Sequence, residues 1–191
     1  MKYSIKNEKI VFDGFLKIKE AEVTYDTFSG GSLTAKRLAM DRGDSVAILL
    51  VEKETQSIIL TKQFRYPTTK HDKGWILEIP AGTLEEDECP LNAIKREVLE
   101  ETGYYVSQPE QIHNFYTSPG GTTERVFLFF AEVSQRDQIE KDGGKENENE
   151  DIKIVKIPLK EIDDYIFSEK IDNAFTLIAF QWLKIKIMSG E

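Results

Sequence analysis

The tightest constraint on this chain of 191 residues lies between positions 82 and 104, which read GTLEEDECPLNAIKREVLEETGY. Pro90 suits the first turn of a helix, where its missing N–H has no intrahelical partner to lose, and Gly103 suits the left-handed residue just past a helix end. The helix bounded in this way carries Leu91, Ile94 and Val98 as an apolar stripe. Glu97, Glu100 and Glu101 stand three and four residues apart on another face. Like charges at that spacing disfavour a helix by about a few tenths of a kcal/mol per pair. A solvated acidic face tolerates that cost, whereas a packed one asks for a cation. Oxygen donors with no His or Cys among them point to a hard ion, Mg²⁺ or Mn²⁺, rather than zinc.

Composition narrows the partners. The net charge is −9, which argues against broad contact with a nucleic-acid backbone. Apolar residues make up 40% of the chain, enough for one domain of ordinary size with a proper core. The first ten residues lack a long apolar stretch, and the longest apolar run, 46–51, is far too short to span a bilayer. A soluble, cytoplasmic protein with no membrane contact is expected. The single cysteine, Cys89, cannot form an internal disulfide and is read as incidental. His71 and His113 show no metal-ligand spacing, so surface or hydrogen-bonding roles are expected for both.

Along the chain, Ala21, Val23 and Tyr25 alternate with polar neighbours, and Gly30-Gly31 marks a hairpin, so residues 10–38 read as two or three antiparallel strands. The run 46–51 suits a strand buried on both faces, with 58–64 returning as its partner. Residues 75–80 form a strand that delivers the chain to Ala81 and Gly82. Further strands fall at 112–117, 125–133 and 152–157, the second too apolar for a sheet edge. Residues 134–151 are polar and glycine-containing, as a flexible surface loop would be. Pro158 opens a short helix, and a final helix from about Asp172 carries Phe175, Ile178, Ala179, Trp182 and Ile185. Trp75 and Trp182 are expected in the core. The interleaved pattern predicts an α+β fold, an α/β/α sandwich with a mixed sheet. Its boundaries are an N-terminal antiparallel strand extension at 1–42 and a main domain at 43–191.

Gly82, five residues, Glu88, seven residues, Arg96-Glu97, Val98, one residue, Glu100-Glu101, one residue and Gly103 match the Nudix box at every fixed position. The chain thus resembles the Nudix hydrolases. Only Tyr104, where the family prefers an aliphatic residue, departs from the pattern. The resemblance implies divalent metal, Mg²⁺ or alternatively Mn²⁺, held at a diphosphate by the Ala81 carbonyl and by Glu97, Glu100 and Glu101. Glu100 and Glu101 then count as catalytic, and Gly82, Glu88, Arg96 and Gly103 as structural.

The chain is most similar to the ADP-ribose pyrophosphatase branch. The ENENEDI sequence ending at Ile152 resembles that branch's acidic loop, which assigns Glu148 as the general base, within positions 146–150, and Glu150 as a metal ligand. The turn from Ser118 to Arg125, Lys170-Ile171-Asp172-Asn173-Ala174 and Gln63-Phe64-Arg65 extend the likeness. By the same resemblance Phe15 stacks on the base, Arg37 and Arg65 hold phosphates or base, and Pro119, Gly120 and Glu124 meet the substrate. Phe15 and Arg37 also suit ordinary strand positions. The implied activity is Mg²⁺-dependent cleavage of ADP-ribose to AMP and ribose 5-phosphate by a homodimer whose N-terminal strands cross between subunits. Two rivals stand beside it: hydrolysis of GDP-mannose or another nucleoside diphosphate sugar, and a non-catalytic ligand sensor built on the same fold.

Overall fold

The apolar run becomes β4 (Ser45–Glu52), and every residue of it is buried, as a strand covered on both faces requires. The computed structural model describes residues 1–140 and 151–190. They separate into two units, one of Met1–Asp44 with Phe115–Val126 and one of Ser45–Asn114 with Phe127–Glu191.

The first unit is an antiparallel sheet in the order β1 (Tyr3–Asp13), β2 (Lys17–Asp26), β3 (Ser32–Asp41). Gly30 and Gly31, with φ of 86° and 90°, make the β2–β3 turn that a side chain would strain. β1 starts earlier than the sequence suggests. All its residues are exposed and its register slips twice, so it leaves no clean alternation to read. The turn after β8 (Glu110–Tyr116) is tied to the end of β3, because the Met40 N–H donates to the Gly121 carbonyl at 2.8 Å and the Thr123 N–H to the Met40 carbonyl at 3.0 Å.

The second unit holds the mixed sheet, ordered β10 (Lys153–Pro158), β5 (Ser57–Phe64), β4, β9 (Arg125–Val133), β8. β9 is interior, in keeping with its apolar sequence. β4 and β5 pair only from Leu50 to Glu52 against Ser57 to Ile59, and then diverge. Into the fork run β6 (Trp75–Glu78), paired with β5, and β7 (Ala81–Thr83), paired with β4. The Ile48 N–H closes the junction on the Pro80 carbonyl at 2.9 Å. Helix α1 (Pro90–Thr102) packs Ala93, Ile94 and Val98 into one core cluster with Val46, Ile48 and Leu50. By strand alternation Ala47, Leu49 and Val51 are left for the opposite face, and α3 (Ala174–Ser189) lies against β4 after the short α2 (Ile162–Ile166).

Four core assignments are corrected. Leu91 is exposed, and Ala93 takes its place in the α1 stripe. The buried face of α3 is Thr176, Ala179, Phe180 and Leu183, whereas Ile185 is exposed and Trp182 only half-buried. That helix is apolar nearly all round, so its sequence does not mark which face turns inward. Trp75 is 63% exposed because β6 pairs with β5 alone, and its ring meets Phe64 edge-on at 5.2 Å.

Tyr104, just past α1, is buried with Glu52 in a polar trio that Lys156 closes from the exposed side. Its hydroxyl and the Lys156 ammonium each donate to Glu52 Oε1 at 2.6 Å, and Lys156 Nζ donates to the Tyr104 oxygen at 2.9 Å. Burial alone would raise the Glu52 carboxyl, but the hydrogen bonds from Lys156, Thr55 and Tyr104 outweigh it and hold the group at about 2. A carboxyl lowered in the folded state stabilises above its unfolded value, 4.5, and loses that contribution as pH falls through its folded value. Glu52→Gln is therefore expected to destabilise the protein by about 1–3 kcal/mol at neutral pH. Urea unfolding at a series of pH values should show the gap from wild type narrowing between pH 4.5 and about 2. A gap that stays constant would refute the charged assignment.

Candidate active site

The site is built where β7 leaves the fork and faces α1. Pro90 stands at the first helical position and Gly103 caps the other end with φ of 71°, so the intervening glutamates keep helical spacing. The buried Glu101 accepts the Ala81 N–H on Oε2 at 3.1 Å, which fixes its carboxylate against the backbone of β7. Glu97 lies against the next residue. A Cβ on Gly82 would overlap the Glu97 carboxyl group, so only glycine permits this approach. Ala81, Glu97 and Glu101, drawn from two elements, are thereby brought together.

Arg96 holds the acidic groups in place. Its Nε and Nη2 donate to the two oxygens of Glu88 at 3.2 and 2.9 Å, a bidentate pair, while Nη1 donates to Glu97 at 2.7 Å and to Glu100 at 3.3 Å. Nη2 also reaches the Thr83 carbonyl at 3.3 Å, tying the helix to the strand that precedes it. The bond to Glu88 raises the guanidinium pKa, and the same bond lowers that of Glu88. Gly103 meets a second demand besides its φ. A Cβ there would overlap the Glu140 backbone, and its carbonyl accepts the Ile139 N–H at 2.9 Å.

The donors are oxygen throughout, and the cradle at Gly82 leaves the Glu97 carboxylate against the strand. By donor chemistry this set suits a hard divalent cation, which Ala81, Glu97, Glu100 and Glu101 would hold, although among the described residues no three acidic side chains already stand grouped as metal ligands. The proposed base Glu148 and ligand Glu150 lie outside the described residues. Cys89 is exposed at the N-cap of α1.

Arg65 follows β5 and donates from Nε to Glu78 Oε2 at 2.8 Å. The other substrate residues belong to the first unit. Phe15 is 98% exposed at the β1–β2 turn, and Arg37 lies opposite Ala21 on β3, bonded to the Lys36 carbonyl and the Tyr25 hydroxyl. Pro119 and Gly120 border a cavity of about 360 Å³ with Leu38, Ala39 and Tyr116. Glu124 is buried, accepts from Thr117 at 3.3 Å and lies 3.7 Å from Arg42. The sequence reading missed Glu78 and gave Asn173 no contact of its own. The one available signal was the position of Asn173 immediately before a helix, where a side-chain cap is favoured.

The NUDIX domain family matches residues 41–175 of this chain. The chain belongs to the Nudix family. A GDP-mannose pyrophosphatase of Enterobacter sp. (strain 638) is 34% identical over 189 residues, covering 97% of this chain and 96% of that protein. The proteins of the same name from Cronobacter sakazakii and Salmonella arizonae are 34% and 32% identical, covering 94% and 96% of this chain and 93% and 95% of theirs. A crystal structure of an ADP compounds hydrolase superposes with a TM-score of 0.76 at 16% identity, covering all of this chain and 96% of that one, and thus shares the fold. In this Nudix box the glycine matters through the carboxylate that rests on it. Gly82→Ala is therefore expected to displace Glu97 and weaken Mg²⁺ binding by roughly 10- to 100-fold. The measurement is the Mg²⁺-dependent rise in melting temperature over an EDTA control, and an undiminished rise would contradict the contact.

Proposed function

We propose that this chain is a Mg²⁺-dependent pyrophosphohydrolase of nucleoside diphosphate sugars, with GDP-mannose as its substrate. The observation that carries the reading is that Glu101 and Glu97 lie against Ala81 and Gly82 of β7, supported by relatives of the same length named GDP-mannose pyrophosphatase. ADP-ribose is the second reading, favoured by the Ile171-Asp172-Asn173-Ala174 opening of the last helix. It comes second because Asp172 bonds Lys73 at 3.3 Å and Asn173 bonds Glu78 at 2.6 Å, contacts within the chain that select no sugar.

Bound divalent cations supply charge neutralisation at the diphosphate and lower the pKa of water. The chain's own residues do the rest. Arg96 and the Ala81 N–H hold the Glu97 and Glu101 carboxylates in register before any ligand arrives, so little reorganisation is left for the reaction. Arg65 meets a phosphate. A water oxygen attacks one phosphorus, the bridging P–O bond on that phosphorus breaks, and the bridging oxygen leaves with the other phosphate. Glu148 is the proposed acceptor of the water proton and Glu150 a further ligand, both carried by the resemblance. A homodimer with crossed N-terminal strands belongs to the same reading.

Turnover of GDP-mannose, ADP-ribose and ADP-glucose with Mg²⁺ and an added phosphatase should give the highest kcat/KM for GDP-mannose. Preference for ADP-ribose would promote the second reading, and binding without product from any of the three would leave a ligand sensor. Glu101→Gln is expected to lower kcat at least 100-fold with the fold intact, and Glu148→Gln to lower kcat with little change in KM. Unchanged turnover in the first variant would remove the metal assignment, and in the second the base assignment.

A further inference from the structure

Glu78 is a carboxylate with only 8% of its side chain exposed, and both of its oxygens are committed. Oε2 accepts Arg65 Nε at 2.8 Å, and Oε1 accepts Asn173 Nδ2 at 2.6 Å. Asn173 cannot turn over, because its Oδ1 accepts the Thr176 N–H at 3.1 Å and the Thr176 hydroxyl at 3.3 Å as the N-cap of α3. The Thr176 hydroxyl in turn accepts the Ile79 N–H at 3.0 Å. The bonds form a closed circuit that leaves the chain at Glu78, the last residue of β6, and returns to it at Ile79, the next residue. A guanidinium engaged at Nε still presents its two terminal nitrogens, the pair whose geometry matches two oxygens of a phosphoryl group. Among the described residues those terminal nitrogens have no partner, and the side chain is 39% exposed.

We infer that Glu78 and Asn173 are positioning residues that set Arg65 as a preformed site for a phosphoryl oxyanion, one of the two phosphates of the diphosphate. The inference deepens the proposed hydrolase reading and rests on it for the identity of the anion. Long side chains lose rotamer entropy when they bind, and an arginine already fixed at Nε has less to lose. The sequence order follows from this. Asn173 must precede the final helix at the position where it caps α3 and reaches Glu78 together, and Thr176 must stand three residues later to receive Ile79.

Glu78→Gln turns one acceptor into a donor, so the circuit breaks at Arg65 or at Asn173. Asn173→Asp supplies the missing acceptor and still caps the helix. Inorganic pyrophosphate, titrated calorimetrically in EDTA, probes the anion site without sugar, nucleoside or turnover. Glu78→Gln is expected to raise its Kd by about tenfold, Arg65→Ala by at least as much, and the two together by no more than Arg65→Ala alone. Combining Glu78→Gln with Asn173→Asp should restore the wild-type Kd. If Glu78→Gln does not fold, Asn173→Ser keeps a cap, loses the donor to Glu78, and takes its place in the same cycle. Additive losses in the Arg65→Ala background would show a role in the fold alone and overturn the inference. So would a wild-type protein that does not bind pyrophosphate, or an unchanged Kd in Glu78→Gln. Intact coupling without turnover of any sugar nucleotide would leave the anion site standing and remove the hydrolase reading.

Discussion

One guanidinium allows this site to exist. Glu88, Glu97 and Glu100 would repel one another on a loop and a helix face, yet Arg96 bonds all three and the strand carbonyl of Thr83 as well. Its flat fork suits the bidentate contact to Glu88, while the remaining nitrogen is shared between the other two carboxylates. A lysine, with one point of charge, could not hold that arrangement. The loop before α1, the helix and β7 are thus fixed to one another by a side chain that itself would bind neither metal nor substrate.

Much of this was legible because the box states its own geometry. Pro90 and Gly103 bracket α1 where the structure ends it, and the buried run at 46–51 and its returning partner are where β4 and β5 lie. The position of Gly82 was legible, but its physical reason was not. Sequence gives a glycine in a turn, whereas the structure gives a carboxylate resting where a methyl group would be.

What stayed hidden depends on pairing between distant segments. Nothing local marks Glu52, Tyr104 and Lys156 as one bonded trio, since they are separated by 52 positions on either side of the tyrosine. The aromatic residue that departs from the family's aliphatic preference is explained by that trio, because its hydroxyl has a buried carboxylate to serve. The same limit applies to α3. An almost uniformly apolar helix gives no sign of which side is buried, and the sheet and α2 packed against it select Ala179, Phe180 and Leu183. β1, exposed along its whole length, carried no pattern at all.

The fork between β4 and β5 has a consequence for how such a chain can vary. β6 is registered on β5 with Glu78 opposite Thr61, β7 is registered on β4 with Ala81 opposite Ala47, and only Ile79 and Pro80 lie between the two ladders. Inserting or deleting a single residue there would turn one ladder over and present its inward side chains to the wrong face. Divergence in this segment is therefore free to change letters and not length, and relatives that share the fork should align through it without a gap.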